Sequence, residues 1–488
     1  MSIHNPHPLC SGSEDISHWT RRELLLRSGG GLAGLALFQM LAADGLLAES
    51  PEPGTRPPQV YDLKPKPSHF PPKAKNVIFL FQQGGPSQVD LFDHKPALEK
   101  YDGKKYPGTV DLFGPDNSGL VLRSPFKFAK HGQSGAELSE LLPHLAELAD
   151  DVTFIRSCHT EHNNHIPAQL MMNTGRIFGG RPSIGSWVCY GLGTENQSLP
   201  AYVALPEPAN LPVDEARNWT GGWLPPLYQG TMMQAGDNPI VDLKLPAQTS
   251  REQQRRNLDV LAKLNAEHAK KHPAEGELAA RISNYELAAR MQTSAFETLD
   301  ISQESPAIRK LYGLDNAPTA AYGTRCLMAR RLVEHGVRFV HIFMGSQVWD
   351  HHSSLQEGLT KVTTATDLPV AGLLKDLKSR GLLDSTLVIW GGEFGRMPVA
   401  QSVDGRDHNR HAFTIWMAGG GIKPGLTYGA TDEFGYAAAV DKVSMPDLHA
   451  TILHLMGLDH KRLIFRHGTR DETLTDVSPA RVIQEILA

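Results

Sequence analysis

Carboxylates and imidazoles collect at a few short stretches of this chain. Asp350, His351 and His352 crowd QVWDHHSS, Glu393 and Arg396 bracket EFGR, and Asp407, His408 and His411 lie in GRDHNRH. A fourth stretch, CHTEHNNH, carries His159, His162 and His165 at three-residue spacing. Carboxylate oxygens and neutral imidazole nitrogens are the ligands taken by zinc, manganese and related divalent ions, and a cation offsets the repulsion of clustered acids. A lone Asp-x-His stretch reads better as an ordinary loop, and the histidine-dense stretch reads equally as a solvated one. Their value lies in coming together.

Bringing them together requires strands that end at one edge. VRFVHIF (Val337 to Phe343) is β-branched and aromatic, as a buried strand should be, and runs within a few residues into Asp350. STLVIWGG (Ser385 to Gly392) is a second such strand, ending in Glu393, and FTIWMA (Phe413 to Ala418) is a third, just after His411. Three neighbouring strands would place their acids and histidines in one crevice, because α/β proteins put chemistry beyond the carboxyl ends of their strands. NVIFLFQ (Asn76 to Gln82) reads as the first strand of the domain and breaks at Gln83, Gly84, Gly85, Pro86 and Ser87; VTFIRS (Val152 to Ser157) leads into the histidine-dense turn. Helices are expected over Ala136 to Ala149, Ala320 to Glu334, Thr366 to Arg380 and Met445 to Leu458. A helical insertion is expected over Ser250 to Thr298, interrupted at Pro273 and Gly276. Trp219 and Trp223, in a Pro- and Gly-rich stretch from Pro206 to Asp242, are candidates for a sugar- or partner-facing surface or for packing over the core.

The 488 residues suit one large α/β domain with insertions. A formal net charge of -5, a pI near 6.5 and the lack of any long basic run argue against nucleic acid as a partner. Cys10 lies in the leader, and Cys158, Cys189 and Cys326 cannot all pair, so no disulfide framework is implied and at most one bridge could form. Residues 1–49 read as a twin-arginine signal segment: Thr20, Arg21, Arg22, Glu23, Leu24 and Leu25 precede a Gly/Ala/Leu run. That predicts a periplasmic or extracytoplasmic protein, the twin-arginine export machinery as a partner, and membrane attachment only if the segment stays uncleaved. Residues 50–75 are proline-rich and read as an extended linker. The domain follows over 76–488, with the loop and helical insertion at 206–300.

NVIFLFQQGG, HIPAQLMMNTGR, WDHH, TLVIWGGEFGR, GRDH and PDLHATILHLMGL together resemble the alkaline phosphatase superfamily, and within it twin-arginine-exported, sulfatase-like proteins that carry a domain of unknown function. The resemblance spans Asn76 to Leu458. It implies a three-layer α/β/α sandwich around a largely parallel sheet, and a metal-dependent hydrolase of sulfate or phosphate esters acting on a small-molecule or polysaccharide ester. Zinc or manganese are the cations implied first, with calcium or magnesium as alternatives. Carried over residue by residue, it puts metal ligands at Asp350, His352 and His408, keeps a carboxylate at Glu393 while losing the imidazole at Phe394, and leaves a neutral Gln83 where relatives hold an aspartate. The nucleophile position falls on His165, so no sulfatase-type modified cysteine is present; His165 would serve as base or ligand, and Arg396 would offer two-point contact to an anion. His351 and His411 rank lower, because adjacent loop residues point apart. The departures also admit a catalytically degenerate descendant that binds an anionic polysaccharide or an exported partner.

Overall fold

A computed structural model describes residues 61–488, apart from 115, 237–238, 242, 246–247 and 272–275. Arg21 and Arg22, the rest of the signal segment, the first part of the proline-rich stretch and Pro273 lie outside the described residues. Among those described, no helix is long and apolar enough to cross a membrane.

The apolar runs form the strands expected of them. In chain order the site-bearing strands are β1 (Asn76–Phe81), β2 (Asn117–Val121), β3 (Val152–His159), β4 (Tyr202–Leu205), β5 (Thr231–Met232), β6 (Phe339–Phe343), β7 (Thr386–Gly391), β8 (Gly395–Gln401), β9 (Gly405–Asn409), β10 (Phe413–Ala418), β11 (Leu426–Tyr428) and β12 (Val443–Ser444). Nine of them make one sheet in the order β11-β3-β10-β7-β1-β6-β4-β5, with β12 beside β3. β1 lies between β6 and β7 and is parallel to both, Val77 facing Phe339 on one side and Leu387 on the other. β10 alone among these runs against its neighbours, β3 and β7. The carboxyl ends of β1, β3, β6 and β7 therefore share one edge.

Strand alternation divides the core into two layers. Ile78 and Leu80 of β1 pack under α5 (Ala317–Glu334) and α6 (Leu355–Ser379), while Val77, Phe79 and Phe81 pack under α1 (His165–Thr174), α2 (Ile184–Leu192) and α7 (Met445–Leu455). The fold is the expected α/β three-layer sandwich around a largely parallel sheet. Two long helices, α3 (Arg251–Lys271) and α4 (Gly276–Leu299), form the insertion, and Met291 and Ala295 bury it in the first core layer. Residues 61–75 run along the domain, with Lys66, Lys73 and Lys75 donating backbone N–H bonds to the carbonyls of Leu192, Leu455 and Ser385.

Several local expectations are corrected. The segment from Ala136 opens as a strand, Ala136–Ser139, paired with Phe128–His131, and only Pro143–Ala146 is helical. Leu138 packs inward on that hairpin, a tertiary contact that helical periodicity does not capture. GRDHN is strand β9, antiparallel to β8, rather than a loop before the third central strand. The three long central runs are also not neighbours in sequence order, since β1 separates β6 from β7. Trp219 is buried, and Trp223 stacks on Phe465 and His467, so both pack rather than face solvent. Cys158, Cys189 and Cys326 are free and buried.

The hairpin β8–β9 is clamped over the strand ends by an ion pair with no solvent exposure. Arg406 donates from Nε to Asp90 Oδ2 at 2.7 Å and from Nη2 to Asp90 Oδ1 at 3.0 Å. Removing one partner of such a pair leaves an uncompensated buried charge, at a cost of about 3–5 kcal/mol. Asp90→Ala should lower unfolding stability by about that amount in urea denaturation. A loss within about 0.5 kcal/mol would contradict the clamp.

Candidate metal centre

Four strand-end segments and the hairpin supply the site. After β1, Gly84 takes φ +112, and a Cβ there would lie 2.7 Å from the Asp350 nitrogen and 2.8 Å from that of Trp349. Only glycine allows the loops after β1 and β6 to come this close. Arg396, 1 % exposed, then ties the loops together. It donates to the carbonyls of Gly85 at 2.9 Å and Arg406 at 3.0 Å, to the carbonyls of Gly84 and Trp349, and to Asp350 Oδ1. Gln88 holds the same residue's backbone, accepting from its N–H at 2.8 Å and donating to its carbonyl at 2.9 Å.

Three imidazoles converge on Asp350. His165 Nε2 lies 3.2 Å from Asp350 Oδ2, while His352 Nε2 and His408 Nε2 lie 2.9 Å and 3.1 Å from Oδ1. Each ring is fixed from behind through Nδ1. His165 Nδ1 meets Glu393 Oε1 at 2.7 Å, His408 Nδ1 meets the Asn163 carbonyl at 2.7 Å, and His352 Nδ1 meets the Gln401 side-chain oxygen. An acceptor on Nδ1 assigns the proton to that nitrogen and leaves the Nε2 lone pair for a metal, the usual arrangement behind ligating histidines. His165 Nε2 is buried and, although close to Asp350, has no directed hydrogen-bond partner. His165, Asp350 and His408 offer ligand atoms that all lie within 4.8 Å of one another. A divalent ion with ligand distances of about 2.0–2.2 Å spaces tetrahedral donors by roughly 3.4 Å, so these residues fit one.

The electrostatics agree with a site built for positive charge. Burial of Asp350 opposes its ionisation, but the facing imidazoles of His165, His352 and His408 and the Arg396 charge hold its carboxyl well below the usual carboxylate range. Burial lowers His408 to about 4, leaving it a neutral donor. Burial also opposes protonation of His165, but Asp350 and Glu393 outweigh it and raise its pKa. The Asp350 hydrogen bond raises His352 against its burial.

The remaining candidates fall elsewhere. Glu393, fully buried, accepts from the Gly84 N–H at 3.0 Å and from Gln169 at 3.3 Å besides facing His165; it orients that ring instead of joining the ligand group. Arg396 spends its Nε, its Nη2 and one Nη1 hydrogen on carbonyls and Asp350, which leaves at most one donor and no two-point anion contact. Gln83 donates to the Met344 carbonyl at 2.6 Å and holds the loop after β6. His351 turns away to pack on Gly358 of α6, and burial with the nearby Arg396 charge lowers it to about 4. His411 stands 3.4 Å from Asp111, outside the cluster. His165, expected at a nucleophile position, sits within the ligand group. Asp407 accepts from the N–H groups of Phe113 and Gly114 and from Asn117, anchoring a loop that stacks Phe113 on His408. The positioning roles of Asn163 and Gln401 had no local signal, since a carbonyl has no side-chain signature and one glutamine in a strand resembles any other.

A family model described as "Protein of unknown function (DUF1501)" matches residues 74–487. No curated protein matches the chain. Among solved structures the chain is similar to the lipoteichoic acid synthase LtaP of Listeria monocytogenes, at 10% identity over 85% of this chain and 78% of that one, with a TM-score of 0.37. A protein in the alkaline phosphatase superfamily from Vibrio parahaemolyticus is similar at 10% identity, over 89% and 78% of the two chains, with a TM-score of 0.36. A phosphonate monoester hydrolase from Silicibacter pomeroyi is similar at 12% identity, over 85% and 76%, with a TM-score of 0.33. At that level of superposition none of them assigns a reaction to this chain.

Elemental analysis of the purified protein should find a divalent ion that Asp350→Ala loses; a stable wild type free of metal would refute the site. Glu393→Gln keeps an acceptor for His165 Nδ1 but removes its charge, and should weaken metal affinity by about 10- to 100-fold in competition with a chelator. Unchanged affinity in Glu393→Gln would remove Glu393 from behind the ligand.

Proposed function

This chain belongs to the DUF1501 family, and from that premise we propose that it is an exported, metal-dependent hydrolase of sulfate or phosphate esters. The observation that carries this reading is the convergence of three Nε2 atoms on one carboxylate, each imidazole fixed through Nδ1. The motif resemblance to the alkaline phosphatase superfamily supplies the ester class. His165, Asp350 and His408 would hold the cation, and half-exposed His352 stands on the open side as a further ligand or a base. The mixed imidazole and carboxylate set favours zinc or manganese over calcium or magnesium. When bound, such an ion supplies Lewis-acid polarisation of an ester oxygen and a lowered pKa for its water. The chain's own part is to hold the donors rigidly. Arg396 fixes the loops, Glu393 fixes His165, and Phe113 covers His408 from one side. Arg21 and Arg22 ahead of an apolar run support export through the twin-arginine pathway, which usually carries proteins already folded, often with a cofactor.

A second reading, a non-catalytic binder of anionic polysaccharide or of an exported partner, is favoured by two observations. No hydroxyl or thiol stands at the His165 position, and Arg396 has no pair of donors to offer an anion.

A panel of aryl sulfate and phosphate esters separates the two. Turnover by the metal-loaded protein is expected, and His165→Ala should lower it by at least about 10²-fold together with metal content. A rate loss with full metal content would make His165 a base instead of a ligand, and no turnover by the loaded wild type would leave the binding reading. Separately, replacing Arg21 and Arg22 by lysine should hold the protein in the cytoplasm on fractionation; undiminished export would end the targeting reading.

A further inference from the structure

A basic cavity of about 150 Å³ is lined by His159, Thr160, Arg410, His411, Ala437, Ala438 and Lys442. Its walls are tied together by backbone hydrogen bonds, from Thr160 N–H to the Arg410 carbonyl at 2.9 Å and from Ala438 N–H to the His411 carbonyl at 2.9 Å. Thr160 is only 8% exposed, and its Oγ1 has no hydrogen-bond partner; Arg410 Nε is likewise without one, while Arg410 Nη1 donates to the Glu161 carbonyl at 3.1 Å. Buried donors without partners are rare and call for a ligand. Two permanent cations, Arg410 and Lys442, and two imidazoles face the space. The carboxylate that meets this group is Asp111, which accepts from Arg410 Nη2 at 2.7 Å and stands 3.4 Å from His411 Nε2. Asp447, the other carboxylate felt by His159, is engaged in capping α7 through the Ser444 N–H and hydroxyl, and accepts from the Arg481 N–H.

The position of the cavity bears on the ester site. His408 and His411 are three residues apart on one continuous segment, which reaches at most about 10 Å when extended. Thr160 and His165 likewise bracket the short turn that supplies Asn163 to His408. We propose that His159, Thr160, Arg410, His411 and Lys442 form an anion subsite that holds a second sulfate or phosphate group of the substrate, beside the one attacked at the metal centre. The substrate is then a multiply anionic ester, such as an oligosaccharide bearing several sulfates or a polyphosphorylated molecule. The cavity's anion binding stands on its own observations, while its role as a substrate subsite rests on the hydrolase reading.

Equilibrium dialysis of radiolabelled inorganic sulfate and of inorganic phosphate against the full-length protein tests it, first as purified and again after EDTA treatment. Binding of about one anion per chain that survives EDTA is expected. Lys442→Ala, at an exposed position, and the near-isosteric Thr160→Val should each weaken it by about three- to tenfold. Asp111→Asn should tighten it by about two- to fivefold, because it removes the competing carboxylate. A gain of that kind cannot come from misfolding. The sulfate and phosphate arms separate the two sources of the anion by their relative affinity. For the subsite role, Lys442→Ala should raise KM for a doubly sulfated disaccharide several-fold more than for a singly sulfated one. Absence of binding, binding abolished by EDTA, or indifference to both Lys442→Ala and Asp111→Asn would overturn the proposal. Failure of the hydrolase reading alone would leave the dialysis results in place and remove only the KM difference.

Discussion

The Arg396 guanidinium is the constraint on which the site depends. Carbonyls at the ends of a parallel sheet project into a space where no ladder partner exists, and a buried one without a donor is costly. Arg396 meets those of Gly84, Gly85, Trp349 and Arg406 and adds its charge to Asp350. Its planar fork serves several acceptors at once, which a lysine ammonium on a flexible stem cannot reproduce. The loops after β1 and β6 and the hairpin β8–β9 thereby become one rigid body, and the Asp90–Arg406 pair fastens the same hairpin from its other side.

Asp350 is held between that cation and three imidazoles, so its negative charge is the centre of the whole arrangement. The acceptors behind the rings come from separate places: Glu393 beyond β7, Gln401 at the end of β8, and the Asn163 carbonyl in the turn before α1. Each fixes a tautomer, and together they hold the Nε2 atoms converged on Asp350, an arrangement that could take a cation without reorganisation. Such preorganisation lets a site on loops hold the geometry that chemistry needs. The basic cavity at Thr160 and Arg410 grows from the same two segments, so whatever moves the metal ligands also moves the anion subsite.

Much of the fold was legible because burial on both faces of a parallel strand demands uninterrupted β-branched and aromatic residues. NVIFLF, FVHIF and TLVIWG come close to it, with Leu80 and Leu387 the aliphatics unbranched at Cβ and His341 the one imidazole among their buried positions. The hairpin β8–β9 was not legible, since GRMPVAQ and GRDHN carry arginines, a proline and an aspartate that no strand pattern favours. They are nonetheless buried throughout, because Asp90, Gln88 and the loop carbonyls supply the partners those polar groups need. In the same way Arg396 read as a free anion-binding fork, and only its neighbours make it a structural clasp.

By itself the sequence determined the α/β class and the strands that carry the site, and its resemblance to a known superfamily singled out Asp350, His352 and His408 as candidate ligands. Tertiary structure decided which histidine completes the candidate group, bringing in His165 from across the sheet, and which residues stand behind it or apart from it, as Glu393, His351 and His411 do. The physical reason is that ligation depends on where a lone pair points. That direction is set by an acceptor on the far side of each ring, and here every such acceptor lies tens or hundreds of residues away along the chain, at |i−j| values of 49, 228 and 245.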